Sequence, residues 1–545
     1  MSLAATERGI ALQPELAKLT SPSRVSITPP DRTAYARDLW PRGLIGVQAG
    51  QLAPSPPDAI VWPETVEEVQ AIVRFANVNK VAIVPFGAGS GVCGGTLPVE
   101  GGIIVDMKRM RRVIAVDRDT LTATFEAGIN GDHLEHELVR RGLTLGHFPS
   151  SIMCSTLGGW LAARSAGQCS TRYGKIEDLV RSVEFVDGTG ALLRTSDPQV
   201  MQLLVGSEGT LGLFTRAELA VRPIAEERHL GGFNFPSVKA GTEAMRRVMQ
   251  AGLHPFVLRL YDELDTFVAR RSAKKEHDEH DAGIEGASLA QFIGGLVGPE
   301  VARGLANASG DLSRLLPSLR KGLTALALSQ TGIANKLVDL VMPRISGGCL
   351  LVAGVEGDRA LAAAEWRAVE KELLAAGGEA LGPAPGERWL KNRYAISFNM
   401  SKAFDAGAFV DTMEVAVPWE RLGELYDSVR AAVSPLAFVM AHFSHAYPDG
   451  CSIYFTYAAA AQGQVAATAQ YDAIWRAALG AATRAGATIS HHHGVGLLKA
   501  PFMATEHGEA MRVMRALKHA LDPAGVMNPG KLGIVATQHE NGAVQ

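Results

Sequence analysis

Residues 81–91 read V-A-I-V-P-F-G-A-G-S-G, and V-C-G-G follows at 92–95. The apolar run Val81 to Phe86 predicts a buried β-strand. Gly87, Gly89, Gly91, Gly94 and Gly95 then crowd into nine positions, with a literal G-x-G-x-x-G at Gly89, Gly91 and Gly94. That string is a dinucleotide fingerprint only if a helix starts at the loop and meets the pyrophosphate with its N-terminus. Here T-L-P-V-E-G-G-I-I-V-D-M comes next, where Pro98 and the Gly101-Gly102 pair disfavour a helix and 102–107 predict a second strand. The loop therefore joins two strands. Glycines without Cβ still let successive backbone N–H groups turn toward one anion, a phosphate nest with no helix dipole behind it. In isolation a plain glycine-rich hairpin reads the same way.

Three later segments carry related chemistry. HFPSSIMCSTLGGWLAARSAG, from His147 to Gly167, gathers Ser150, Ser151, Ser155, Thr156, Gly158, Gly159 and Ser165 around Trp160, a composition that lets backbone approach a large flat ligand. RYGKIEDLVRSVEFVDGTG, from Arg172 to Gly190, reads as an entry turn, an apolar strand and a G-T-G turn. In VGSEGTLGLFTRAEL, Glu208, Gly209, Thr210 and Gly212 bracket a tight turn before a strand from Leu213 to Leu219. The C-terminal half adds DTMEVAVPW, SIYFT and SHHHGVG.

The order and wording of these segments resemble the FAD-binding domain of the vanillyl-alcohol-oxidase superfamily, and within it the alkyl-dihydroxyacetonephosphate synthases. The likeness rests on PFGAGSG, P-S-S-x-x-x-S-T-x-G-G-W-x-x-x-R-S-A-G, YGKIEDLV, EGTLG and the three C-terminal segments. It leaves out residues 1 to about 50 and an insert around 270–345. The resemblance implies an α+β fold: a two-part FAD-binding domain, an α+β substrate (cap) domain and a helical insert. It implies FAD contacts from Pro85, Phe86, Gly87, Ala88, Gly89, Ser90 and Gly91, and from Ser150, Ser151, Ser155, Thr156, Gly158 and Gly159. Further contacts are implied for Ala163, Arg164, Ser165 and Ala166, and for Glu208, Gly209, Thr210, Leu211, Gly212, Leu213 and Phe214. The glycine loop holds no histidine, so FAD is expected to bind non-covalently.

The reacting groups are expected between residues 388 and 496. MAHFSHAYPDGCSIYFTYA supplies His442, His445, Tyr447 and Tyr454, and Ser452 to Thr456 predict a strand on which Tyr454 points away from Ile453 and Phe455. SHHHGVG supplies His491, His492 and His493. A phenol with pKa near ~10 is a poor base at neutral pH unless neighbouring imidazolium groups favour its phenolate. The resemblance implies that Tyr454 takes a proton beside the ketone of acyl-dihydroxyacetone phosphate. It further implies that a flavin adduct holds the substrate while a fatty alcohol replaces the acyl chain, with His445 and the histidine triplet in the same site. One position departs: eleven residues before Asp411, where the resemblance implies an arginine, this chain has Met400, with Arg393 and Lys402 nearby. A thioether cannot hold a phosphate.

The ending NPGKL, Asn528 to Leu532, is more similar to the FAD-linked D-2-hydroxy-acid dehydrogenases of the superfamily. This is the alternative reading, a lactate- or glycolate-type dehydrogenase or oxidase. Relatives of that kind hold a metal with two histidines and a glutamate; the matching positions here are His445, Tyr454 and His492, so no metal site is expected. A flavin protein that has lost its chemistry would be expected to show a disrupted Tyr and His set.

The 545 residues are too many for one ordinary core, and 47% hydrophobic with 20% charged residues is a globular balance. A net charge of −3 argues against a basic nucleic-acid binder and says nothing of a small-molecule substrate; the resemblance implies a small-molecule lipid or hydroxy acid as the partner. Five scattered cysteines without C-x-x-C argue against zinc and a disulfide scaffold. The expected domains are an extension over 1–54, the FAD-binding domain over 55–223, the cap over 224–500 and a C-terminal helical segment over 501–545. No run of eighteen apolar residues predicts a membrane span, and neither a signal peptide nor a peroxisomal tripeptide is read, so the expected location is the cytoplasm. Peripheral membrane contact through the insert and a homodimer stay open.

Overall fold

The computed structural model describes residues 4–278, 347–395, 404, 408–461 and 463–534. Most of the expected helical insert, together with Met400 and Lys402, lies outside them. The chain divides into two compact units, Met1–Ile224 with Ile489–Gln545, and Ala225–Thr488.

The first unit holds two main sheets. One joins β1 (Val25–Ser26), β2 (Ala59–Val61), β3 (Ile83–Phe86) and β4 (Ile103–Asp106) in the order β1-β2-β4-β3. β3 and β4 run parallel, which rules out a hairpin for the glycine loop between them, and no helix forms from Gly87 to Gly102. The other sheet is antiparallel, with β5 (Val113–Asp117), β6 (Thr122–Glu126), β8 (Val180–Asp187), β9 (Leu192–Thr195) and β10 (Gly212–Ala220) in the order β5-β6-β10-β8-β9. β7 (Leu143–Thr144) and β11 (Arg222–Pro223) form a small pair of their own. Between β2 and β3 the helix Val66–Asn79 turns Val69, Ile72, Val73 and Ala76 inward at helical spacing, and Thr65 caps its N-terminus by accepting from Glu68 N.

Two expectations about the ends of the chain are corrected. Residues 1–54 are not a separate preface: Leu12 and Leu16 of the helix Glu7–Leu19, and Val25 of β1, sit in the same core as Val69, Ile83 and Ile103. That core also takes Val526 and Met527, so the C-terminal segment belongs to this unit, together with residues 489–500 that were expected in the cap. The C-terminal helical segment expected over 501–545 holds two helices: Met503–His507 stops at Gly508, whose φ is +48°, and Ala510–Leu521 starts anew.

The second unit is built on one antiparallel sheet. β12 (Glu227–Phe235), β13 (Val257–Tyr261), β14 (Cys349–Gly357), β15 (Glu379–Gly382), β16 (Phe409–Pro418), β17 (Phe438–Ala446) and β18 (Gly450–Ala459) lie in the order β15-β12-β14-β13-β17-β18-β16. Helices Val238–Gln250 and Arg359–Ala375 pack on each other, as do Leu422–Val433 and Gln464–Arg484. From Cys349 onward β14, the helix Arg359–Ala375 and β15 follow one another as strand, helix and strand.

Candidate active site

In the first unit the glycine loop is held from three sides. Leu39 N donates to the carbonyls of Gly89 and Gly91 at 3.2 and 3.0 Å. The buried Asp38 carboxyl accepts from Trp40 N at 3.1 Å; burial pushes it up to about 6, and neighbouring backbone amides, that of Trp40 first, pull the other way. A Cβ on Gly87 would stand 2.3 Å from Thr156 Oγ1, and one on Gly209 would stand 2.8 Å from Pro85 Cγ. The Pro85–Gly91, Thr156 and Glu208–Gly209 segments expected to share a cofactor are thus packed together.

The residues of the loop fit FAD. Among the described residues, no protein group accepts from the backbone N–H groups of Ala88 to Val92. A Cβ on Gly91 would meet nothing closer than Asp38 Oδ2 at 3.8 Å. Open, unclaimed donors on a glycine run are what a pyrophosphate requires.

The rest of the expected set divides by role. Thr156 caps the helix Leu157–Ala163 by accepting from Gly159 N, so the small-residue stretch is partly helical. Buried Trp160 donates from Nε1 to Ser155 Oγ at 2.8 Å, and Ser165 lies 3.2 Å from His147 Nε2. Ser150 accepts from Gln168. Ser151 and Gly158 are half-buried, while Ala166 and Leu211 are buried. Leu213 sits in the core, and Phe214 packs edge-on against Phe185 at 4.9 Å. Arg164, left-handed at φ +52°, donates to the carbonyls of Val205 and Gln202, so its guanidinium fastens the end of the helix Pro198–Leu204. The five cysteines carry no disulfide and only Cys154 is more than slightly exposed.

His491, His492 and His493 occupy a half-buried loop of this same unit. His491 Nδ1 and His492 Nδ1 lie 2.9 Å apart, so one carries the proton and the other accepts it.

In the second unit, antiparallel register sets Tyr261 of β13 opposite His442 of β17, His442 opposite Tyr454 of β18, and Tyr454 opposite Glu414 of β16. Directly opposed residues share a face, so these side chains form one row across four strands. His442 stacks on Tyr454 with ring centroids 4.8 Å apart and planes 16° apart; His445, buried and at φ +52° in a bulge of β17, is tilted at 6.2 Å. Tyr454 is half-buried between buried Ile453 and Phe455, as alternation predicts.

Charge on the row differs from expectation. A guanidinium is always a donor, so the contact of Arg259 Nη2 with His442 Nε2 makes that nitrogen the acceptor. His442 Nδ1–H then donates to Asp265 Oδ2 at 3.1 Å. His442 is therefore neutral, and burial and Arg259 push its pKa well below the usual value. It cannot act as the imidazolium expected to favour a Tyr454 phenolate. Burial, then the Glu414 charge, hold that phenol far above its ordinary value, and Arg259 is the cation that opposes them. Arg259, Asp265 and Glu414 were missed in the sequence. A charged residue inside an apolar strand, as in VLRLY and FVDTMEVAV, was the signal.

A nest of free amides in one unit and, in the other, a tyrosine–histidine row with an arginine on its histidine are the features of an FAD-dependent enzyme. A model of the FAD binding domain matches residues 57–196, and one of the C-terminal domain of FAD linked oxidases matches residues 224–532. The chain belongs to the FAD-linked oxidase family. Alkyldihydroxyacetonephosphate synthase of Dictyostelium discoideum is similar at 30% identity over 517 residues, 92% of this chain and 77% of that one. The synthase of the same name in Trypanosoma brucei brucei is 28% identical over 91% of this chain and 75% of its own. A solved alkyldihydroxyacetonephosphate synthase superposes with a TM-score of 0.72 at 26% identity, covering 96% of this chain and 85% of that one.

Proposed function

We propose that this chain exchanges the acyl group of acyl-dihydroxyacetone phosphate for a fatty alcohol, giving alkyl-dihydroxyacetone phosphate and a fatty acid without net redox change. The observation that carries the reading is Tyr454 seated in the row with His442 and Glu414, with Arg259 in contact with that His442, in a chain whose relatives include synthases of that name. Bound FAD supplies an electron-poor ring beside the ketone carbon. Tyr454 takes the proton next to that ketone, and for this its phenol must first ionise. Burial and Glu414 oppose the ionisation and Arg259 assists it, and the triplet His491 to His493 counts with Tyr454 among the catalytic groups of the reading. Arg259, in contact with His442 and over the Tyr261 ring, supplies a cation beside the row, in a chain with no arginine at position 400.

The test is an anaerobic spectrum of the purified holoenzyme titrated with acyl-dihydroxyacetone phosphate, then with hexadecanol, followed by mass analysis of the lipid product. Bleaching of the flavin band that the alcohol reverses, with an ether lipid formed, is expected. Lasting bleaching by D-lactate or D-glycerate without lipid exchange would overturn the reading in favour of a dehydrogenase.

A further inference from the structure

Glu208 stands in the turn EGTLG, where the sequence suggests a cofactor contact. Its carboxylate does something else. Oε1 accepts from Val495 N at 2.5 Å and Oε2 accepts from Gly496 N at 2.7 Å, the two amides that follow the histidine triplet and Gly494. Gly494, at φ +80°, has so little room that a Cβ there would stand 2.8 Å from Glu208 Oε1. The same loop is fixed a second time at the glycine-rich segment: Leu497 N and Leu498 N both donate to the Cys93 carbonyl, at 2.9 and 3.1 Å. A Cβ on Gly496 would come within 2.1 Å of that oxygen. Glu208 is itself held by backbone: its N–H donates to Ala162 O at 3.0 Å, and its carbonyl accepts from Asn528 Nδ2 at 2.6 Å. Its φ of +48° is a left-handed conformation that a glutamate adopts only under such constraint.

We infer that Glu208 is a positioning residue, a two-pronged latch that fixes the histidine loop 491–496 to the cofactor cradle so that the imidazoles are set when FAD is bound. The inference rests on the proposed function, in which the triplet counts among the catalytic groups. Two charge-assisted bonds from one rigid carboxylate fix both the height and the rotation of the loop, which one bond cannot do. Glutamine keeps the shape but presents an NH2 to one of the two N–H donors, so Glu208→Gln keeps one prong at most, and Glu208→Ala keeps none.

The experiment measures amide hydrogen exchange across residues 488–500 in the holoenzyme, with flavin content and steady-state kinetics in parallel. In the wild-type protein Val495 and Gly496 amides are expected to be protected. E208Q is expected to keep FAD and global protection, while exchange at these amides quickens at least about tenfold and kcat falls at least about tenfold with KM little changed. E208A is expected to exceed E208Q in both. A latch with only a structural part would instead lower flavin content and protection throughout the unit and leave no kcat-specific loss. Unprotected Val495 and Gly496 amides in the wild type, a reading that needs no variant to fold, would overturn the inference, as would unchanged exchange in E208Q. Absence of lipid exchange in the wild type would count against the proposed function alone, because the exchange data decide the latch without substrate.

Discussion

Tyr454 stacks on a neutral histidine, and Arg259, in contact with that histidine, is a cation that opposes the rise of the phenol's pKa. Tyr454→Phe keeps the stacked ring and removes only the hydroxyl, so it should lower lipid exchange by about 10²-fold or more while the flavin spectrum stays unchanged. Arg259 pulls the phenol's pKa down. Arg259→Gln should therefore move the alkaline rise of kcat/KM to higher pH, and a profile that stays in place would remove Arg259 from the charge balance. Asp262 and Asp265 are both pushed up to about 7 by burial, against the pull of Arg430 and Arg259 respectively. In the unfolded chain each ionises near ~4, so each contributes stability at low pH that is lost as pH rises toward 7. Urea unfolding from pH 5 to 7 should show the fall, and it should be shallower in Asp265→Asn, which has no proton to lose.

At the scale of elements, the cofactor cradle depends on close approaches between loops that lie far apart in sequence. Gly87 is needed because Thr156 Oγ1, which caps the helix Leu157–Ala163, occupies the space a Cβ would take. Gly87→Ala should push the two segments apart and raise the dissociation constant of FAD at least about tenfold, measured by fluorescence titration of apoprotein; unaltered affinity would show that the contact yields without cost. The sheet of the second unit works differently, by register. A slip of one residue between β17 and β18 would send His442 and Tyr454 to opposite faces, and extensive pairing on both sides of β18 prevents it.

At the scale of the molecule, the last described residues brace the cofactor unit. Asn528 N donates to Ile83 O and Ile83 N to Val526 O, extending the edge beside β3. Lys518 Nζ donates to the Thr210 carbonyl at 2.7 Å and pairs with Asp522, Asn528 Nδ2 donates to Gly95 O at 2.9 Å, and Lys531 Nζ donates to Leu97 O at 2.8 Å. Burial lowers Lys531 to about 8, with Glu208 drawing it back up. NPGKL is thus explained by the fold of this unit without appeal to a hydroxy-acid substrate. A chain ending at Leu521 keeps Lys518 but removes Asp522 and the bonds made by Val526, Asn528 and Lys531, together with Val526 and Met527 from the core. It should emerge from gel filtration without flavin and melt at least about 4 °C lower than the full chain; retention of FAD would show the brace to be dispensable.

Much of this protein was legible in order of sequence. The glycine loop between two strands, the helix Val66–Asn79 and the strand carrying Tyr454 all follow from local rules: Gly and Pro punctuation, a 3.6-residue stripe, alternation with period two. The cofactor could be read because its binding segments are contiguous strings. What the tertiary structure alone decided is where distant residues meet. Arg259 and Glu414 acquire meaning only through strand register, which brings them to Tyr454 across intervals of 195 and 40 residues. The charge of His442 is set by the partners that register supplies, and no pattern along the chain contains it. The two ends of the chain joined one core because apolar burial is non-directional and indifferent to sequence separation, so Leu16 and Met527 could be recruited to it with no local signal to announce them.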